Sequence, residues 1–179
     1  MRGRPIPRAG WPFALLAALT ACNAADDSTR AERLELANTS RLAMVPKSSP
    51  AALLQGFEAF CLDAAASPEA QAAGLRQAGY VPAGGWQDGN RDFVTGDQRP
   101  KIRITEDGQH CAAIARTGSG QSAAIQAALP RWFPQARKLT STADKEIWLT
   151  GRRADEGVAI LHNAAGPHQN EIMLALIQL

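Results

Sequence analysis

The chain has 179 residues, of which 6% are aromatic, and its 19 Lys and Arg against 17 Asp and Glu give a formal net charge of +2. Three of the arginines and none of the acidic residues lie within residues 1–21, so the rest of the chain carries 16 basic and 17 acidic side chains and is near −1. A nucleic-acid partner requires a clustered positive face. The chain has no run of three Lys or Arg, and we therefore expect no nucleic-acid partner.

Residues 1–21 have the composition of an export signal. Arg2, Arg4 and Arg8 precede any acidic residue, and the apolar stretch 13–21 follows them. That stretch is far shorter than the ~20 apolar residues that span a bilayer as a helix. A basic start, a short apolar region and small residues at its end indicate a secretory signal peptide.

A cysteine ends the apolar stretch, in the tetrapeptide Leu19-Thr20-Ala21-Cys22. This motif resembles the lipobox of bacterial lipoproteins, which has an aliphatic residue, two small or permissive residues and then cysteine. The resemblance implies that Cys22 is lipidated and becomes the first residue of the mature chain. We therefore expect a protein that is held at a membrane by its lipid.

The residues after Cys22 bear on location. In the lipoprotein family, Asn23 rather than aspartate at this position implies retention in the outer membrane, on its periplasmic side. The alternative is an ordinary signal that is cut after Ala24 or Ala25, which leaves a soluble periplasmic protein. Both interpretations place the protein in the envelope.

Two cysteines remain once Cys22 is assigned to the lipid. Cys61 and Cys111 form an even number in an oxidising compartment, where disulfides persist. A bridge between them would close a loop of about 50 residues, which is worth on the order of 4 kcal/mol in the chain-entropy description. We expect this disulfide, and two buried free thiols are the alternative.

Residues 22–49 are polar and interrupted, and they are predicted to form a flexible tether. As a flexible coil, such a segment has ends on the order of 30 Å apart. Thr29 and Glu32 have the spacing of a capping box, which predicts a short helix within the tether. Residues 50–179 are enough to bury a core alone, and they are predicted to form one globular domain.

Helices are predicted at three places in the domain. Ser49-Pro50 and Ser67-Pro68 each combine a capping residue with proline at the first helical position. The first helix carries Cys61 on its apolar face. A third helix is predicted around Ile125 and ends near Pro130 or Pro134.

The rest of the domain has the short, β-prone runs of a sheet. The run 172–177 is apolar on both faces, which favours a central strand over a buried helix, although periodicity alone leaves both open. The sequence predicts an α+β fold with a mainly antiparallel sheet and about three helices. The predicted strands are 91–95, 101–105, 110–116, 137–140, 146–150, 158–163 and 171–178.

Candidate metal ligands are His162, His168 and Glu171. Histidine and carboxylate are zinc ligands, but this spacing matches no known site. A solvated turn is the favoured interpretation of the three residues, and we expect neither a metal nor another cofactor.

The sequence offers only weak candidates for catalytic groups. Gly118-Ser119-Gly120 lacks the glycine spacing of a nucleophile motif, and a linker that caps the next helix is the favoured interpretation. Ser119 could be combined with His110 and Asp107, but a chain of this length offers such a trio by chance.

A second resemblance concerns the domain. The stretch 57–61, with Pro68 and Ala78-Gly79-Tyr80, is similar to small uncharacterised proteobacterial envelope proteins that have an early helical cysteine and a later strand cysteine. This resemblance implies no activity. We expect a non-catalytic, membrane-anchored module that binds an envelope protein, peptidoglycan or a small ligand. The alternative is a small periplasmic hydrolase that uses His162, His168 or Ser119.

Overall fold

The structure is a computed structural model that describes residues 26–41, 43–62, 67–164 and 170–179. The predicted signal at 1–21, Cys22 and His168 lie outside these ranges. The helices are α1 (Arg30–Asn38), α2 (Pro50–Phe57), α3 (Pro68–Gln77) and α4 (Gln121–Trp132), and a π-helical turn, Glu58–Leu62, continues α2. The strands are β1 (Val81–Pro82), β2 (Asn90–Val94), β3 (Lys101–Thr105), β4 (Cys111–Arg116), β5 (Arg137–Ser141), β6 (Lys145–Leu149), β7 (Glu156–Ala164) and β8 (Asn170–Gln178).

The helices α1, α2 and α3 begin where their capping residues predict. The Ser49 hydroxyl accepts a hydrogen bond from the Ala52 amide at 3.1 Å, and Ser67 does the same for Ala70 at 3.2 Å. Thr29 and Glu32 form the complete capping box at the start of α1. These bonds satisfy amides that the first helical turn leaves unpaired.

The eight strands form one antiparallel sheet in the order β1-β2-β3-β4-β8-β7-β6-β5. This confirms the predicted α+β class with a mainly antiparallel sheet in one domain, with four α-helices in the described residues rather than about three. The strand β8 pairs with β4 on one side and β7 on the other, so the last apolar run is a central strand and not a helix.

The two halves of the sheet have matching strand orders about a central twofold axis. Exchanging each strand of the first half with its counterpart in the second half (β1 with β5, and so on) gives the same order read from the opposite edge of the sheet, and β4 and β8 meet at the centre. The first half follows α2 and α3 and the second half follows α4, and α2 and α4 pack against each other. The duplication is one of topology, because the sequence shows no internal repeat.

The main core lies between α2, α4 and one face of the sheet. Helical side chains such as Phe57 and Ile125 are fully buried there against strand residues such as Ile104 and Ile160. A smaller apolar cluster lies on the other face, and Val45 packs against it. The members of that cluster are Ala112, Ile114, Ile147, Ala159 and Ala175.

Cys61 and Cys111 are joined by a disulfide, as predicted from the cysteine count. The bond links the π-helical turn after α2 to the first residue of β4, with the two Cα atoms 5.3 Å apart and 50 positions between them in sequence. The crosslink therefore holds the helical layer to a strand in the middle of the sheet.

Gly56 is buried where α2 passes closest to the β2–β3 connection. A Cβ atom at this position would overlap the ring of Pro100. We expect Gly56→Ala to lower the free energy of unfolding by about 1 kcal/mol, because overpacking costs more than alanine's better helix propensity returns. Urea unfolding measures this.

Gly74→Ala in α3 is the matched control. A Cβ atom there has no neighbour within 4 Å, so the same substitution should raise stability by up to about 1 kcal/mol. If both variants are stabilised alike, the close approach of α2 to Pro100 does not limit residue 56.

Candidate functional site

The β1–β2 hairpin positions charged groups on both faces of the sheet. Asp88 and Gly89 take positive φ and make the tight turn, closed by the bridge between Gln87 and Asn90. Successive side chains of a strand point to opposite faces, so Arg91 lies on the helical side and Asp92 on the other. Two charged clusters therefore form back to back.

Arg91 is a buried cation. Its side chain is 2% exposed, and its Nε donates to the Gly84 carbonyl oxygen at 3.1 Å. The guanidinium carbon lies 5.5 Å from the ring centre of Phe93 and 6.0 Å from that of Trp86. A buried charge needs an opposite charge close by, and the start of the described chain supplies it.

Residues 26–29, here called the N-terminal strap, cover Arg91. Arg91 Nη2 is paired with Asp27 Oδ1 and lies 3.6 Å from Asp26 Oδ1. The hydrogen bond from Ser28 holds the pKa of Asp26 below its usual range, and the hydrogen bond from Arg91 does the same for the pKa of Asp27.

A second arginine fastens the strap to α3. Arg76 Nη2 lies 3.2 Å from the same Asp27 oxygen, and Arg76 Nε donates to Glu32 Oε1 at 2.6 Å. The carboxylate of Asp27 is thus shared by two guanidinium groups from two different elements, α3 and β2. Asp27 therefore ties the strap to α3 and to β2 at the same time.

The rest of the predicted tether also contacts the domain. The helix α1 packs against β1, which is an edge strand. The Ser48 hydroxyl donates to the Gln98 carbonyl at 2.8 Å, and the Arg116 amide donates to the Pro46 carbonyl at 2.9 Å. In the part of the chain that the structure describes, the segment predicted as a flexible tether is held by specific bonds.

The second cluster centres on Asp92. Arg103 donates to both of its carboxylate oxygens, at 2.6 and 2.9 Å, and Lys101 Nζ lies 3.2 Å away. Burial alone would raise the pKa of Asp92, but the hydrogen bonds from Arg103 and the charge of Lys101 outweigh it and hold that pKa below its usual range. The cluster carries one net positive charge.

An open cleft of about 200 Å³ lies beside this cluster. Its lining carries amide and carboxylate groups that can bind a polar ligand or one side chain of a partner, and it includes no serine, cysteine or histidine. The lining residues are Ala83, Gly85, Gln87, Asp88, Asn90, Asp92 and Arg103.

The structure does not bring the metal candidates together. His162 lies on the helical side of β7, whereas Glu171 pairs with Asn163 and so points to the opposite face. His168 is not among the described residues. Within those residues, no group of three His, Cys, Asp or Glu could hold a metal ion.

The catalytic trio weighed in the sequence is dispersed. Asp107 and His110 lie at one end of β4 and Ser119 beyond the other, and the strand between them is about 20 Å long at ~3.4 Å per residue. The structure pairs different residues, Ser122 Oγ and His162 Nε2, at 3.4 Å. No carboxylate is bonded to the other ring nitrogen of His162 among the residues described, so the pair joins α4 to β7 without the third group that orients a base.

Comparison with protein-family models, with curated proteins and with solved structures gives no match to this chain. No helix within the described ranges is both long enough and apolar enough to cross a bilayer.

Proposed function

We propose that this protein is a non-catalytic lipoprotein of the bacterial envelope, anchored through Cys22 on the periplasmic side of the outer membrane. The observation that carries the proposal is the division of the three cysteines. Cys61 and Cys111 are bonded to each other, and the third is the cysteine of the lipobox. A structural disulfide also suits an exported protein.

We further propose that the domain binds an envelope protein or peptidoglycan. The cleft beside Asp92 supports a binding role, since it offers polar groups on a rigid sheet. Among the described residues, Ser119, His110 and Asp107 are far apart and no carboxylate is bonded to His162, so these groups offer no support for a hydrolase.

The anchor is tested by feeding an alkyne analogue of palmitate to cells that express the protein. We expect the wild-type protein to be labelled and to sediment with membranes, and Cys22→Ala to be unlabelled. The double variant Cys61→Ala/Cys111→Ala is the matched control, and it should keep the label because those cysteines do not carry lipid.

Mass spectrometry of the mature N-terminus distinguishes the lipid-anchored protein from the soluble one. An unmodified chain that begins after Ala24 would establish the soluble periplasmic alternative. Ester or peptidoglycan hydrolysis that is lost on His162→Ala would contradict the non-catalytic part of the proposal.

A further inference from the structure

We propose that the β1–β2 hairpin faces the bilayer, with Trp86 at the level of the lipid headgroups. This inference rests on the proposed lipidation of Cys22 and adds the orientation of the domain. A long flexible tether would leave the domain free to turn at the membrane. The strap removes that freedom, because it attaches the domain a few residues after the anchor.

The covalent reach is short. Three residues separate Cys22 from Asp26, and four Cα intervals span at most about 14 Å. Asp26 and Asp27 are held at Arg91 of β2 and Arg76 of α3. The lipid must therefore enter the bilayer close to this hairpin.

The composition of the hairpin loop suits the membrane–water interface. Residues 83–87 are five consecutive uncharged residues, and Trp86, the fourth of them, is half-buried. Tryptophan is favoured at the headgroup level, where its ring is partly dehydrated and its N–H is still hydrogen-bonded. The neighbouring cation, Arg91, is already neutralised by Asp27.

The opposite edge of the sheet lies far from the strap. In the strand order, β5 stands six places from β2, which is about 29 Å at ~4.8 Å per strand. This edge is exposed along its length and carries Arg137 and Lys138. Trp148 on β6 stands five places from β2, about 24 Å away, and so provides an internal reference for Trp86.

The test uses the lipidated protein in vesicles of phosphatidylethanolamine and phosphatidylglycerol, some of which carry a nitroxide quencher at the headgroup. Trp132→Phe/Trp148→Phe leaves Trp86 as the fluorophore of the mature chain, and Trp86→Phe/Trp132→Phe leaves Trp148. We expect Trp86 to be quenched about twofold more strongly than Trp148, since about 24 Å of sheet separates them.

Adding Asp26→Asn/Asp27→Asn to both single-tryptophan proteins should abolish the difference, because the strap no longer fixes the hairpin at the anchor. Asp88→Asn is the matched control, since it removes a carboxylate from the same hairpin and leaves the strap paired. Equal quenching of Trp86 and Trp148 in a lipidated, vesicle-bound protein would overturn the orientation and leave the lipoprotein proposal intact. A chain that carries no lipid and stays in solution would overturn both.

Discussion

Replacing Cys61 and Cys111 together by alanine is expected to lower the free energy of unfolding by about 4 kcal/mol. The disulfide closes a loop of 50 residues, so its loss restores conformational freedom mainly to the unfolded chain. Domains of this size are stable by only about 5–15 kcal/mol, so the variant should be close to unfolding at 37 °C. Urea unfolding followed by tryptophan fluorescence measures the change.

Reduction provides an independent comparison. The wild-type protein in excess dithiothreitol should unfold at the same urea concentration as the double alanine variant. Cys22→Ala should unfold at the same urea concentration as the oxidised wild-type protein. A double alanine variant within about 1 kcal/mol of the wild type would show that the loop is already restricted in the unfolded chain.

The second large effect is expected from the strap. Asp26→Asn/Asp27→Asn should lower the free energy of unfolding by about 2 kcal/mol at pH 7. Removing one partner of a fully buried ion pair costs about 3–5 kcal/mol. Asp26 and Asp27 are 40% and 58% exposed, and water screens their attraction to the buried Arg91, which reduces that figure. Asp88→Asn again serves as the control and should change stability little.

The effect of the strap should depend on pH with a definite sign. The folded-state pKa of both carboxyls lies below the unfolded value of about 3.9, so their contribution is complete well above that pH. It is lost as the pH falls through the folded-state pKa, because both states then bind the same protons. The difference in stability between wild type and variant should therefore be constant from pH 7 to about 5 and shrink below about 4. A difference that widens in acid would be evidence against the ion pairs.

Much of the fold follows from local sequence patterns. Serine followed by proline marks the starts of α2 and α3, because the hydroxyl and the fixed proline φ both favour a helical first turn. The apolar run at 172–177 predicts a strand covered on both faces, and β8 occupies that place. Local patterns do not predict β1, because it has only two residues and one of them, Pro82, is of a type confined to sheet edges.

The candidate site is harder to predict from the sequence, because its contacts join residues that are distant in sequence. Arg91 and Asp27 are 64 positions apart, and no local pattern pairs them. A signal was nevertheless present, since alternation places Arg91 on the same face as the apolar Phe93. A cation on the buried side of a strand requires an anion from elsewhere, and the acidic pair Asp26-Asp27 is available near the start of the chain.

The matching order of the two halves of the sheet gives it a pseudo-twofold axis between β4 and β8. The two central strands, β4 and β8, run antiparallel, and the strands on either side of them follow in matching order. A twofold-symmetric dimer that pairs through one strand of each copy has the same arrangement. Because β4 and β8 pair with each other, neither half leaves its last strand as an edge that is open to pairing with another chain.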